Sequence, residues 1–240
     1  LKYTFKLMFV LLISISILSG CLYPESEKSK NQEAYEDQLE RIQQAVDDYR
    51  EATDGLVPIR TKESDTPIFQ KYLIDFNLLK ERGFISEIPG NAFENGGKYQ
   101  YALITPDDQP RVRLIDLTMT ETIRSINIRI NTYRDEHLYP PFGEVIADDV
   151  YSIDYKKIGL ESTPTVESPF SKEQLPIVMD ANGKLYVDYR IDLNHALQKY
   201  EHNYKEGDDI RYILAENTPF LPAYSLPYTI KNDEPVFLIN

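Results

Sequence analysis

Apolar residues recur at spacings of three and four through Leu39, Ile42, Val46 and Tyr49, with Tyr49-Arg50-Glu51 near the end of the run and Gly55 as a stop. The series returns 84 positions later without a gap, where Ile126, Ile130 and Tyr133-Arg134-Asp135 align with Ile42, Val46 and Tyr49-Arg50-Glu51. Such spacing puts one apolar stripe on each helix, and the stripe must be buried against a second layer. After each helix comes a proline turn, Leu56-Val57-Pro58 and Leu138-Tyr139-Pro140, and then a Tyr-x-Ile-Asp-aromatic run from Tyr72 to Phe76 and from Tyr151 to Tyr155. Asn95-Gly96 and Asn182-Gly183 follow, each leading into alternating aromatic and polar residues. Asn and Gly tolerate the positive φ of a tight hairpin turn. The order predicts an α+β fold made of a tandem duplicated unit, a long amphipathic helix followed by a small antiparallel sheet or hairpin.

The expected organisation is a first helix-plus-sheet unit over residues 33–118, a second over 119–190, and a C-terminal segment, 191–240, packing on both. In that last segment residues 192–204 and 209–214 read as helices, and Asn232-Asp233 reads as the turn of a closing hairpin.

The first twenty residues differ in kind. Lys2 and Lys6 precede an apolar run from Leu7 to Leu18 broken only by Ser14 and Ser16, the layout of a signal peptide. The run is about 12 residues long, against roughly 20 for a bilayer-spanning helix, so cleavage is expected rather than a permanent span. Leu18-Ser19-Gly20-Cys21 resembles the lipobox of bacterial lipoproteins, in which small residues admit the peptidase and the cysteine thiol takes the lipid. The resemblance implies cleavage between Gly20 and Cys21 and a diacylglyceryl (with palmitate-type acyl chains) on Cys21. Two acyl chains at about 0.8 kcal/mol per buried methylene suffice for stable attachment. Cys21 is the only cysteine, so no internal disulfide and no thiol-based metal site is expected. Residues 21–32 form the lipidated start and tether, and a flexible coil of that length spans about 18 Å. The expected location is the extracytoplasmic face of the cell membrane.

Two further resemblances concern the body. Residues 39–104, with a helix ending in Tyr49, a Gly-x-x-Pro turn at Gly55, a leucine-bearing short helix, Pro89 and a tyrosine-rich hairpin, resemble the globular part of type IV pilins and pseudopilins. The chain has a lipobox where that family has a long hydrophobic assembly helix. The whole chain, above all Thr218-Pro219-Phe220-Leu221-Pro222-Ala223-Tyr224-Ser225-Leu226-Pro227-Tyr228, resembles an uncharacterised lipoprotein family of Bacillus-type spore formers, which implies the compartment and no mechanism.

Charge narrows the partners. Removing residues 1–20 takes away two lysines and no acid, leaving 24 basic against 39 acidic residues, a formal charge of −15. That balance repels nucleic acid and anionic headgroups. Catalytic motifs are missing: no nucleophile elbow, no phosphate-binding glycine loop and no His-Glu-x-x-His occur. His195 and His202 are seven apart, too far for chelation; His137 stands alone. Val178 and Tyr189 occupy the end positions that a calcium loop around Asp180-Ala181-Asn182-Gly183 would need as acids. No metal and no cofactor is expected. Asp47-Asp48, Asp107-Asp108, Asp148-Asp149 and Asp208-Asp209 read as caps and turns, while Asp75 and Asp154 sit inside apolar runs and read as caps or, if desolvated across a cleft, as acid–base groups. Tyr99, Tyr101, Tyr186, Tyr189, Tyr224 and Tyr228 are the candidate interaction surface, since exposed tyrosines anchor interfaces; half-buried core is the competing reading. The expected function is a non-enzymatic, lipid-anchored module binding a protein or wall-associated partner, with a carboxylate-based wall hydrolase or a solute-binding receptor as the alternatives.

Overall fold

The computed structural model describes residues 35–60, 62–105 and 107–238. The expected signal peptide, Cys21 and the expected tether lie outside the described residues.

Helix α1 (Tyr35–Ala52) buries Gln38, Ile42, Ala45, Val46 and Tyr49, the face set by the apolar spacing, and ends where the Gly55 N–H bonds Arg50 O at 2.9 Å. Two short helices follow, α2 (Ile68–Lys71) and α3 (Phe76–Glu81), then the hairpin of β1 (Tyr99–Ile104) and β2 (Arg111–Asp116). The Gln43 side chain fixes α1 on this hairpin: its Oε1 accepts the Val112 N–H at 2.8 Å and its Nε2 donates to Pro110 O at 2.9 Å. Ile42, Val46, Tyr49, Phe76, Leu79, Tyr101, Leu103, Val112 and Leu114 form the first core.

The second half opens with α4 (Thr118–His137), which buries Met119, Ile123, Ile126, Ile130 and Tyr133. A five-stranded antiparallel sheet follows: β3 (Phe142–Ala147), β4 (Val150–Ile153), β5 (Thr165–Glu167), β6 (Gln174–Asp180) and β7 (Leu185–Val187), with β6 pairing β4, β5 and β7. Helices α5 (Arg190–Lys199) and α6 (Tyr212–Asn217) and the hairpin of β8 (Tyr228–Lys231) and β9 (Glu234–Phe237) complete the chain. Ile130, Leu175, Ile177, Met179, Val187, Tyr189, Leu193, Ile210 and Tyr228 are among the residues of the second core.

The protein is therefore α+β. The halves share a local device: the Asp75 N–H bonds Pro58 O at 2.8 Å and the Asp154 N–H bonds Pro141 O at 2.9 Å, so each proline turn receives the extended Tyr-x-Ile-Asp run. Ile74 and Ile153 are buried in their respective cores. Beyond that the sheets differ in strand number and order, and they do not establish a tandem duplication.

One expected turn is corrected. Asn95-Gly96 does not turn a hairpin; it ends a 3-10 turn (Phe93–Asn95) with Gly96 at φ 80°, ahead of β1. The hairpin turn lies between Ile104 and Arg111, where the Thr105 hydroxyl donates to Gln109 O at 2.6 Å. Tertiary packing decides the difference. The Gly97 and Tyr99 N–H groups bond Ala92 O and Asn91 O, holding the incoming chain against the start of β1. Asn182-Gly183 does turn β6 into β7, with Asp180 Oδ1 accepting the N–H groups of Asn182 and Lys184 at 2.9 Å, and Asn232-Asp233, both at positive φ, turns β8 into β9.

The C-terminal segment joins the two cores. Leu114 N–H bonds Pro219 O and Leu221 N–H bonds Leu114 O, each at 2.8 Å, so residues 219–221 run parallel beside β2. Phe220 enters the first core; Ala215, Leu221 and Ala223 meet Phe69, Leu73, Ala102, Ile104 and Ile115 in a seam.

A Cβ at Gly97 would lie 2.1 Å from the carbonyl carbon and oxygen of Asn91, backbone atoms that cannot swing aside. Gly97→Ala is expected to cost about 3 kcal/mol, the upper part of the overpacking range, read as a lowered urea midpoint with an unchanged slope.

Candidate functional site

Arg190, at the first position of α5, follows Asp188 by two residues, and this spacing builds a closed local unit. Asp188 Oδ1 accepts the Arg190 backbone N–H at 3.1 Å, an Asx turn just ahead of the helix, while its two oxygens take Arg190 Nε at 3.0 Å and Nη2 at 2.6 Å. The Asp188 side chain is 5% exposed and that of Arg190 is 41% exposed, so the pair runs from interior to surface. Tyr228 holds its inner end: the hydroxyl lies 3.3 Å from Asp188 Oδ1 and accepts the Tyr189 N–H at 3.1 Å. Phe237 holds the outer end, its ring centroid 5.0 Å from the Arg190 guanidinium carbon and 4.8 Å from the Tyr228 ring. Cation and ring attract, and the flat face restricts the guanidinium.

This unit sits in an open groove of 390 Å³ between α5 and the β8–β9 hairpin. Pro176, Ile191 and Pro235 supply apolar walls; Asp188, Arg190, Asn194 and Glu234 supply the polar groups. The volume is near the lower end of the range of small-ligand sites.

The same sequence device occurs again at Asp209-Ile210-Arg211 with a different result. Asp209 takes the Arg211 N–H at 3.1 Å and the guanidinium at 2.6–3.1 Å. Here the arginine is 8% exposed, bonds the Ser225 hydroxyl at 3.0 Å and covers the Phe69 ring at 5.0 Å, so it ties the C-terminal segment to the first half. Asp188, Arg190 and Arg211 are not among the residues singled out from sequence, and Asp209 reads there only as part of a cap or turn. The signal was present: an aspartate two residues ahead of an arginine at the start of a helical run.

The six tyrosines do not form one surface. Tyr189 and Tyr228 are fully buried, Tyr101 is 2% exposed and Tyr99 8%. Their rings extend the cores: Tyr99 and Tyr101 share the inward face of β1, Tyr228 opens β8, and Tyr189 lies just ahead of α5. Tyr189 donates to Ala223 O at 2.9 Å and Tyr101 to Asn91 Oδ1 at 2.7 Å. Burial pushes the hydroxyls of Tyr101, Tyr189 and Tyr228 well above the usual tyrosine range. Tyr186 and Tyr224 are half-buried: Tyr186 donates to Asp180 Oδ2 at 3.2 Å, and burial raises it to about 12, while the Tyr224 hydroxyl lies 3.2 Å from that of Thr120.

The carboxylates considered for acid–base work are half-buried and have structural partners in different halves of the chain. Asp75 caps α3, accepting the Leu78 N–H at 3.1 Å, and Asp154 pairs with Lys157 at 3.2 Å. His137 stacks on Tyr133 at 4.0 Å, and His195 lies 4.0 Å from Glu173. Among the described residues no group of three or more His, Cys, Asp or Glu could hold a metal ion, and no helix is long and apolar enough to cross a membrane.

An acid the sequence did not mark lies one turn beyond Asp188. Asp192 is 2% exposed; its Oδ2 accepts the Ser168 hydroxyl at 2.8 Å and its Oδ1 is buried with no hydrogen-bond partner among the described residues. Ser168 Oγ in turn accepts the N–H groups of Phe170 and Ser171. This chain of bonds seats the 168–171 turn on α5.

Fold and groove together define an α+β protein with an open, mixed polar and apolar groove. Residues 35–116, from the first residue of α1 to the last of β2, match the YphF family N-terminal domain. No curated protein and no solved structure matches the chain.

Burial raises the Asp192 carboxyl above its usual range, against the pull of the Ser171 and Ser168 hydroxyls and of His195. The folded state then binds this proton more tightly than the unfolded state. Its contribution is most favourable below the unfolded aspartate value of about 3.9, falls as pH rises through the interval up to the folded value, and stays lower above it. Asp192→Asn keeps an acceptor for Ser168 and removes the charge. Its melting temperature is expected to exceed that of the wild type at neutral pH, with the difference shrinking as pH falls through the raised folded value and levelling off below about 4; thermal unfolding across pH checks this.

Proposed function

We propose that the chain is a lipid-anchored lipoprotein on the extracytoplasmic face of the cell membrane, where it acts without catalysis as an interaction module for a protein or wall-associated partner. The observation that carries the reading is the tetrapeptide Leu18-Ser19-Gly20-Cys21, placed after a short apolar run and containing the sole cysteine. A thioether to diacylglycerol needs that thiol, and the tether from it to α1 is short, so the body works close to the bilayer. The folded body supports a binding role. Asp75 and Asp154, the acids first weighed as acid–base groups, are engaged as a helix cap and an ion-pair partner in separate halves of the chain. The groove beside α5 offers fixed donors and an acceptor between apolar walls, which is a surface for recognition. The strongly acidic body favours partners that are not anionic.

Cys21→Ala tests the anchor. Expressed in a bacterium with lipoprotein-processing enzymes, the wild type is expected to incorporate radiolabelled palmitate and sediment with membranes. The variant is expected to lose the label entirely. Palmitate incorporation that survives the substitution contradicts the reading. Crosslinking in intact membranes, followed by purification of the lipidated protein, is expected to return one reproducible partner.

A further inference from the structure

The geometry points to a specific occupant for the groove between α5 and β9: an extended peptide segment carrying a basic side chain. This rests on the interaction-module reading above and names the chemistry of its partner.

The argument begins with Arg190. A guanidinium has a side fork of Nε and Nη2 and an end fork of Nη1 and Nη2. Asp188 occupies the side fork, at 3.0 Å to Nε and 2.6 Å to Nη2. Nη1 has no hydrogen-bond partner among the described residues, so the end fork keeps its donors while Asp188 and Phe237 hold the plane still. Asn194 lies four residues on, on the same face of α5. Its Oδ1 receives the Gln198 amide at 3.5 Å, and its Nδ2 has no partner among the described residues. The helix wall therefore presents two donor groups one turn apart.

The opposite wall is different in sign. Glu234 is exposed at the start of β9, and Lys231, its neighbour across the ladder, forms no ion pair with it among the described residues. The Asp188 charge compensates that of Arg190, so the groove keeps the negative charge of Glu234 on a chain of net charge −13. A carboxylate ligand would meet this field unfavourably; a neutral carbonyl would not. Peptide carbonyl oxygens suit the Arg190 and Asn194 donors, a lysine or arginine side chain suits Glu234, and Pro176, Ile191 and Pro235 give the apolar contact along which a chain lies. Charge complementarity thus selects a cationic peptide over an anionic one.

The test uses the full lipidated chain in detergent micelles and a fluorescein-labelled octapeptide of alternating lysine and alanine, followed by fluorescence anisotropy. Saturable binding is expected, weakened about tenfold by Glu234→Lys and only marginally by Glu40→Lys, an equal charge change on exposed α1. Asn194→Ala is expected to weaken binding about fivefold while leaving its salt dependence unchanged, since it removes a neutral donor. A glutamate–alanine octapeptide is expected not to bind. The inference is overturned if the lysine peptide fails to bind, if Glu234→Lys has no effect, or if Glu234→Lys and Glu40→Lys weaken binding equally, which would mark a general field effect. A partner recovered by membrane crosslinking while the peptide fails would remove the groove assignment alone; absence of any crosslinked partner would remove the module reading.

Discussion

Leu114 in β2 receives the chain again a hundred residues later, and the rest of the molecule is arranged around that return. Its N–H and C=O are both taken by the 219–221 segment, so a strand pairing that is parallel and far apart in sequence closes the first sheet. Contacts of such separation carry a loop-closure cost that local contacts do not. Several interactions offset it together. Phe220 packs on Tyr35 and Tyr99 with ring separations of 5.5 and 5.8 Å; Arg113 donates to the Ala215 and Glu216 carbonyls at the end of α6; and Arg211 covers Phe69. The same stretch continues into the second core, where Val187 N–H bonds Tyr224 O and Ile210 N–H bonds Tyr228 O. The β8–β9 hairpin that forms one wall of the groove is placed by this path. A change in the seam is therefore also a change in the groove.

The two Asp-x-Arg pairs show how burial assigns roles to one local chemistry. Both use the aspartate to accept the arginine's own backbone N–H and to clamp its side fork, and both set the guanidinium 5.0 Å from a phenylalanine ring. At Arg211 the end of the guanidinium meets the Ser225 hydroxyl inside the protein, and the group serves cohesion. At Arg190 the outer edge faces an open groove, and the same rigidity becomes preorganisation for a ligand. Removing either aspartate would leave an arginine without its charge partner; the acid is the more buried member at Asp188–Arg190 and the arginine is at Asp209–Arg211.

Helix α1 and helix α4 were legible because period and burial agree: Ile42, Val46 and Tyr49, and Ile126, Ile130 and Tyr133, are the buried residues in both patterns and coordinates. Turns were legible where they are closed by their own residues, as at Asn182-Gly183 and Asn232-Asp233, and misread at Asn95-Gly96, where the backbone of Asn91 and Ala92 sets the path of the chain. Asp75 could be read as a cap because capping is local. The tyrosines could not be sorted, because strand alternation fixes two faces without saying which is inside. Asp192 and the groove were invisible for the same reason: each depends on Ser168, Pro176 or Glu234, residues brought to α5 only by the sheet and the last hairpin.

The central physical claim is that residues 219–223 make two cores into one cooperative body. Native-state hydrogen exchange measured against denaturant tests it most directly. If the claim holds, the Leu114 and Leu221 amides exchange only with global unfolding, at the same free energy and denaturant dependence as Leu103 in the first core and Ile177 in the second. It is contradicted if Leu221 exchanges through a low-energy local opening while Leu103 and Ile177 stay protected, or if the two cores give separate unfolding isotherms.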